Sequence, residues 1–333
     1  YRNKTKNTFK YERLKTNKSV RNIQLLNGHL WITTNWNGTY CYRPETDELR
    51  KLKPANKHLD DMLVSSIAMK DEQTFLMATP YSILRIAFTG TDYIYDDLET
   101  TEMSFDNLTY NSFINNRINK LYVDRKNKVV WLGTFGKGLL KSNMQDNQVK
   151  RILLDKDIYN VNGVVQDAHG YVWLTTEYHG IWKSNSNQFS SATKFSLWEN
   201  SKSKGRYTIY RDRSGSLWIA DDEGVVQWLN PLSNHRVEFR PKYDGEHSIG
   251  IINKIYHCIH NRLWLVSEKG LFIYDYQTDK CLASMPYNDT IQKVTSLYED
   301  GDGIMWLGTN NGVKSAKVKD NNIELAHGQE EQF

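Results

Sequence analysis

One tryptophan phrase returns along the chain at nearly fixed intervals. It reads VWLGTFGKGLL from Val130, VWLTTEYHGIW from Val172 and LWIADDEGVVQW from Leu217. Trp31, Trp131, Trp173, Trp218, Trp264 and Trp306 share this context, and the gaps after Trp131 are 42, 45, 46 and 42 residues. Trp31 and Trp131 lie about two periods apart, and the degenerate copy TFLMATPYSIL between them puts Leu76 in the tryptophan slot. Seven copies in 333 residues are self-similarity at a fixed period, which marks a repeat architecture rather than a single folded core.

Each copy has one internal grammar. An apolar strand such as INKLYV or VTSLYE comes first, then a turn opened by Asp124, Asp167, Asp212 or Asp300. Gly170, Gly215 and Gly303 follow three residues later in three copies, as tight turns favour. Copies 1 and 6 replace this turn with Asn27-Gly28 and His260-Asn261, which predict two-residue hairpins. The tryptophan strand follows, then a glycine (Gly38, Gly138, Gly180, Gly224, Gly270 or Gly312) that opens a third strand. A weaker fourth strand is expected at VKRIL, FSLW, VEFR and CLASM.

Four short strands in about 45 residues make a propeller blade. The expected fold is all-β: one seven-bladed β-propeller of four-stranded antiparallel blades. Its blades are expected at 18–58, 59–113, 114–157, 158–203, 204–249, 250–288 and 289–333. Tryptophan would fill the wedge between neighbouring blades. The residue two positions later is small in six copies, so that slot should face a crowded neighbour. For the ring seam, FKYERL (Phe9–Leu14) is favoured over NIELAH (Asn322–His327) as the outer strand of blade 7. The stretch around FTGTDYIYDDLETTEMSFDN reads as a longer outer strand or an inserted loop.

Composition narrows the function. The net charge of +4 is the small difference between 43 basic and 39 acidic residues, which gives no basic stripe for nucleic acid. Apolar runs stop at four or five residues, too short to span a bilayer. Cys41, Cys258 and Cys281 are too few and too scattered for a disulfide framework or a cysteine zinc site. DGDG at Asp300 begins like a calcium loop, but the twelfth position is Asn311 rather than Glu. No metal or other cofactor is expected.

DAHGYVWLTTEYHGIW, DRSGSLWIADDEGVV and DGDGIMWLGTNNGV resemble the two-component regulator propeller repeat. The resemblance covers essentially the whole chain, and copy 2 matches poorly. It implies a periplasmic sensor domain of a hybrid two-component system of Bacteroidetes, non-catalytic in itself, with the histidine kinase elsewhere in the protein. It also implies an oligosaccharide ligand, a companion propeller and β-sandwich, and a homodimer. Membrane attachment would come through segments outside this chain.

Loops at one rim should line the mouth of the central channel. Trp36, Tyr81, Phe135 and Tyr178 there are flat rings on which sugar C–H faces could stack. Arg21, Arg117, Arg206, Lys254 and Lys293 fall at the starts of inner strands, where a ring of cations would favour a sulfated or uronic acid ligand. The candidate ligand-binding set is Trp36, Tyr81, Arg117, Phe135, Tyr178, Arg206 and Glu268. The same loops leave a second reading open. Asp221, Asp222 and Glu223 could pair with Glu177 or Glu268 as the carboxylates of a propeller enzyme, a glycoside hydrolase or lyase, acting on acidic polysaccharide. A third reading is a protein-interaction scaffold.

Overall fold

A computed structural model describes residues 19–43, 48–52, 63–79, 83–87, 99–103, 118–143, 149–154, 158–185, 192–195, 205, 207–289, 291–319 and 322–325. Blade 1 holds β1 (Val20–Leu26), β2 (His29–Thr34), β3 (Thr39–Arg43) and β4 (Glu48–Lys51). Blade 2 holds β5 (Ser66–Met69), β6 (Thr74–Ala78), β7 (Ile83–Ala87) and β8 (Glu99–Met103). Blade 3 holds β9 (Ile118–Asp124), β10 (Val129–Thr134), β11 (Leu139–Asn143) and β12 (Val149–Ile152). Blade 4 holds β13 (Val161–Gln166), β14 (Val172–Thr176), β15 (Ile181–Ser184) and β16 (Ala192–Phe195). Blade 5 holds β17 (Thr208–Arg211), β18 (Leu217–Ala220), β19 (Val226–Leu229) and β20 (Arg236–Phe239). Blade 6 holds β21 (Ile252–His257), β22 (Leu263–Ser267), β23 (Gly270–Asp275) and β24 (Lys280–Pro286). Blade 7 holds β25 (Val294–Glu299), β26 (Met305–Thr309), β27 (Gly312–Lys319) and β28 (Asn322–Leu325). Within each blade the strands pair antiparallel in chain order.

The first strands contact one another in a cycle, β1–β5–β9–β13–β17–β21–β25 and back to β1. They surround the central channel. The repeated words explain why the cycle closes. Each tryptophan packs into a cluster with residues of the next blade. Trp131 meets Val161 and Val164, and Trp173 meets Leu217 and Ile219. Trp218 meets Ile252 and Leu265, and Trp264 meets Val294 and Leu307. Trp306 meets Val20, Ile23 and Ile32 of blade 1, which seals the ring. Leu76 plays the same part towards Ile118 and Leu132. Middle strands buried on both faces need apolar side chains on both, which is why they read as continuous runs.

The small slot is crowded as expected. A Cβ on Gly133 would stand 3.0 Å from Val161 Cγ1, and one on Gly308 would stand 2.7 Å from Val20 Cγ1.

Three expectations need correction. Blade 7 takes its outer strand from Asn322–Leu325, paired to β27 from Lys319↔Asn322 to Ala316↔Leu325. Phe9–Leu14 lie outside the described residues. A strand pairing with its immediate predecessor closes a short loop and loses little chain entropy, which favours the local partner. The fourth strand of blade 4 is Ala192–Phe195, a few residues before the expected FSLW. The turn of blade 6 is not a two-residue hairpin. Cys258 N–H donates to Arg262 O at 2.9 Å, and Asn261 N–H donates to Cys258 O at 3.0 Å. Asp167 bonds to Tyr171 and Gly170 in the same way. Cys258 therefore fills the aspartate slot, and Asn261, at φ 60°, fills the glycine slot. Asn tolerates left-handed backbone better than other non-glycine residues. The extra stretch in blade 2 includes its outer strand, β8.

Candidate functional site at the channel mouth

Three of the turn aspartates each hold a tryptophan, whereas Asp124 accepts Asn127 and Gln166 instead. Asp167 Oδ1 accepts the backbone N–H groups of His169 and Tyr171, and its Oδ2 accepts Trp173 Nε1–H at 2.7 Å. Asp212 does the same for Ser216 and Trp218, and Asp300 for Ile304 and Trp306, with indole bonds of 2.8 and 2.9 Å. One carboxylate thus closes the turn and satisfies a buried indole six residues on. Burial alone would push the Asp212 carboxyl up. Bonds from His257, Ser214, Trp218 and Ser216 outweigh that and leave it at about 2.

At the opposite end of the tryptophan strand, threonine closes the rim loop. Thr34 Oγ1 donates to Gly38 O at 2.7 Å, Thr134 to Gly138 O at 2.8 Å, Thr176 to Gly180 O at 2.8 Å and Thr309 to Gly312 O at 2.7 Å. Gly38, Gly138 and Gly180 sit at φ between 73° and 83°, where a side chain would be strained. These clasps set the rim loops rigidly above the channel.

Blade 5 carries Asp221 in the threonine slot. Its Oδ1 accepts Glu223 N–H at 3.0 Å and Val225 N–H at 2.9 Å, and the residue is 1% exposed. Burial, joined by the charges of Asp222 and Glu223, outweighs the two backbone bonds and pushes its carboxyl up to about 6, against an ordinary 3.8. Between about pH 4 and 6 the folded protein therefore holds a proton there that the unfolded chain releases. The stability this proton confers is fully present below about pH 4 and is lost as pH rises through about 6. Asp221→Asn should raise stability at pH 7 by about 2–3 kcal/mol and change it little at pH 4. Urea melts at the two pH values check this.

Two of the candidate rim aromatics are exposed. Trp36 is 62% exposed at φ 59°, and Tyr178 is 67% exposed at φ 71°. Left-handed backbone on a bulky residue costs energy and persists only where its surroundings enforce it. The Tyr178 loop is held by a bond from its N–H to Gly205 O at 2.9 Å. Phe135 is half-buried and bridges to Asn160 in the link to the next blade. Asn160 Oδ1 accepts Gly136 N–H at 2.9 Å, and its Nδ2 donates to Glu177 Oε2 at 2.9 Å, so the rims of blades 3 and 4 are tied together. Glu268 is exposed, and a Cβ on Gly250 would stand 2.8 Å from its Oε1. Tyr81, Arg117 and Arg206 lie outside the described residues. The charges that act on Asp221 come from its own loop rather than from Glu177 or Glu268. Among the described residues no group of three His, Cys, Asp or Glu side chains could hold a metal ion.

The channel itself encloses a cavity of about 560 Å³ lined from six of the seven inner strands. Among the described residues its walls include Lys120, Arg125, Arg211 and Lys254, and no Asp or Glu. Lys254 was anticipated from its place at the start of an inner strand, whereas Lys120 was missed. The two share one slot: Lys120 pairs with Gly133, and Lys254 with Val266, each two residues after its tryptophan. Aligning the inner strands on that register would have found both. Just before each lysine the ladder skips one residue, Asn119 in blade 3 and Asn253 in blade 6. The same irregularity falls at Arg21, Asn162 and Thr295 in blades 1, 4 and 7. A bulge kinks the strand and re-aims side chains. Burial, with the positive charges of Lys120 and Arg21 acting in the same direction, lowers the Lys254 ammonium to about 8. Burial also lowers Lys120.

The fold and its mouth define the class: a seven-bladed propeller whose clasped loops frame a cationic channel. Residues 290–311, which contain the Asp300–Trp306 clasp, match the family model of the two component regulator propeller. The chain is 19% identical over 311 residues to Histidine kinase P4 of Formosa agariphila, a match covering 89% of this chain and 21% of that protein. Among solved structures, it resembles the extracellular domain assigned to a hybrid two component system of B. thetaiotaomicron. That likeness has a TM-score of 0.68 at 19% identity and covers 93% of this chain and 41% of the other. Virginiamycin B lyase from Staphylococcus aureus shares the fold at a TM-score of 0.66 and 13% identity, with 90% and 95% of the two chains covered. The chain thus spans less than half the length of its kinase and sensor relatives. Among the described residues no helix is long and apolar enough to cross a membrane.

Proposed function

We propose that this chain is the extracytoplasmic, non-catalytic sensor part of a hybrid two-component system in the periplasm, and that its rim recognises an oligosaccharide. The observation that carries the reading is the pair Trp36 and Tyr178, large rings exposed on one rim and held in strained backbone. A packing role would bury such rings, and an idle loop would not hold them in the left-handed region. They sit in blades 1 and 4, so a ligand touching both must bridge the mouth, which suits a chain of sugars better than one sugar. The sensor and kinase relatives support a signalling context. A companion propeller, a β-sandwich and a second copy of the chain would complete the receptor. Signalling then requires only that ligand favour one arrangement of these parts over another.

Calorimetry against a panel of oligosaccharides, with product analysis alongside, tests the reading. Binding without turnover is expected. Trp36→Ala and Tyr178→Ala should each weaken it by roughly 1–2 kcal/mol, the worth of a well-placed ring contact. Cleavage of any bound sugar, or unchanged affinity in both variants, would contradict the proposal.

A further inference from the structure

The channel below the rim has its own chemistry. Among the described residues four cations line one cavity without an acidic side chain beside them. Arg125 and Arg211 lie towards the turn end of their inner strands, while Lys120 and Lys254 lie near the rim end. Neither lysine makes a hydrogen bond or ion pair with another described residue. Lys254 also feels Lys120 and Arg21 as like charges. Facing ammonium groups repel, and burial strengthens the repulsion. Such an arrangement destabilises the free protein and is relieved by an anion placed between the charges. Asn162 and Asn253, at the bulged positions, line the same cavity and supply amide donors. Lysine suits this role as a compact point charge with three donors.

We propose that the rim end of the channel is an oxoanion site in which Lys120 and Lys254, with the side-chain amides of Asn162 and Asn253, hold a sulfate ester or carboxylate borne by a saccharide. The proposal rests on the oligosaccharide reading for the sugar but not for the anion. The anionic group enters the channel while the sugar rings remain at the rim. The four positive side chains of the lining repel cations, and the amides accept a ligand hydroxyl as readily as they donate to an oxoanion.

The test uses the full 333-residue chain and the double variant Lys120→Met/Lys254→Met. Melting is followed in sodium sulfate and in sodium chloride of equal ionic strength. Binding is then measured with sulfated, uronate-containing and neutral oligosaccharides of matched length. The proposal expects sulfate to raise the melting temperature of the parent more than chloride does, and the variant to show no such difference. It expects the variant to melt above the parent in low salt, because the repulsion is gone. It also expects sulfated or uronate sugars to bind the parent roughly tenfold or more tighter than neutral ones, with that preference lost in the variant. Preference for the sulfated over the uronate panel, or the reverse, identifies the anion. Equal response of both proteins to sulfate, or an anion preference that survives the double substitution, overturns the site. Neutral sugars binding as well as charged ones overturns it too, while leaving the rim reading intact. A sulfate effect confined to the parent, with no sugar bound, keeps the channel site and removes the oligosaccharide reading.

Discussion

Trp218→Ala will lower the unfolding free energy by about 3–5 kcal/mol, the range for deleting a large aromatic from a packed core. Trp218 is fully buried between blades 5 and 6, where its ring lies 5.2 Å from His257 and 4.9 Å from Tyr276. The substitution leaves a cavity in the wedge and removes a donor from Asp212 at the same time. Trp218→Phe weights the two effects differently. It keeps one ring in the wedge but loses the indole N–H and part of the buried volume, so a smaller loss of about 2 kcal/mol is expected. Its acid response should also change. Asp212 is held at about 2 in the folded protein, so its contribution is present above its ordinary 3.8 and is lost as pH falls through that window. Removing the indole bond raises the folded value and brings acid unfolding to a higher pH. Urea titrations at pH 7 and an acid titration of each variant read both effects.

Gly308→Val will cost a comparable amount, about 3 kcal/mol, by overpacking rather than by a cavity. A Cβ there would stand 2.2 Å from Ser296 Oγ and 2.7 Å from Val20 Cγ1. Ser296 belongs to the same blade, whereas Val20 is in blade 1. The cost is therefore shared across the joint between the first and last blades. Val20→Ala removes the opposing methyl groups, so the double variant should be more stable than the sum of the two single losses by about 1 kcal/mol. Additive losses would mean that blades 7 and 1 do not touch at this point.

Much of this was legible in the sequence because one packing problem is solved seven times. The tryptophan and the small residue two places on share the strand face turned towards the next blade, and their recurrence shows the wedge directly. The turn aspartates were legible as turn residues. That Asp167 also holds Trp173 was not, because a six-residue separation becomes a contact only once the hairpin between them is formed. The threonine clasp was hidden in the same way: Thr176 and Gly180 look like separate signals until a single bond joins them. Cys258 could not be recognised as an aspartate substitute, since what survives there is the backbone bonding and not the side-chain chemistry.

The seam and the site were harder for different reasons. Phe9–Leu14 and Asn322–His327 are equally strand-like, and only pairing decides between them. At the mouth, the exposure of Trp36 and Tyr178 was legible because aromatics in short polar loops have little to pack against. Lys120 escaped because the skipped residue ahead of it shifts the alternation by one, and simple counting then assigns the wrong face.

The most direct test of the account is the distance across the joint between its two ends. Ser19 Oγ lies 3.1 Å from Asn310 Oδ1, although 291 residues separate them in the chain. Spin labels on Ser19→Cys and Asn310→Cys, with Cys281→Ser to remove the most accessible native thiol, give that distance by pulsed electron resonance. The closed ring predicts one narrow distribution at the short end of the measurable range, lost together with the tryptophan near-ultraviolet signal on unfolding. A long or broad distribution in the native protein would mean that the seven blades form an open array, and the channel and its mouth would go with it.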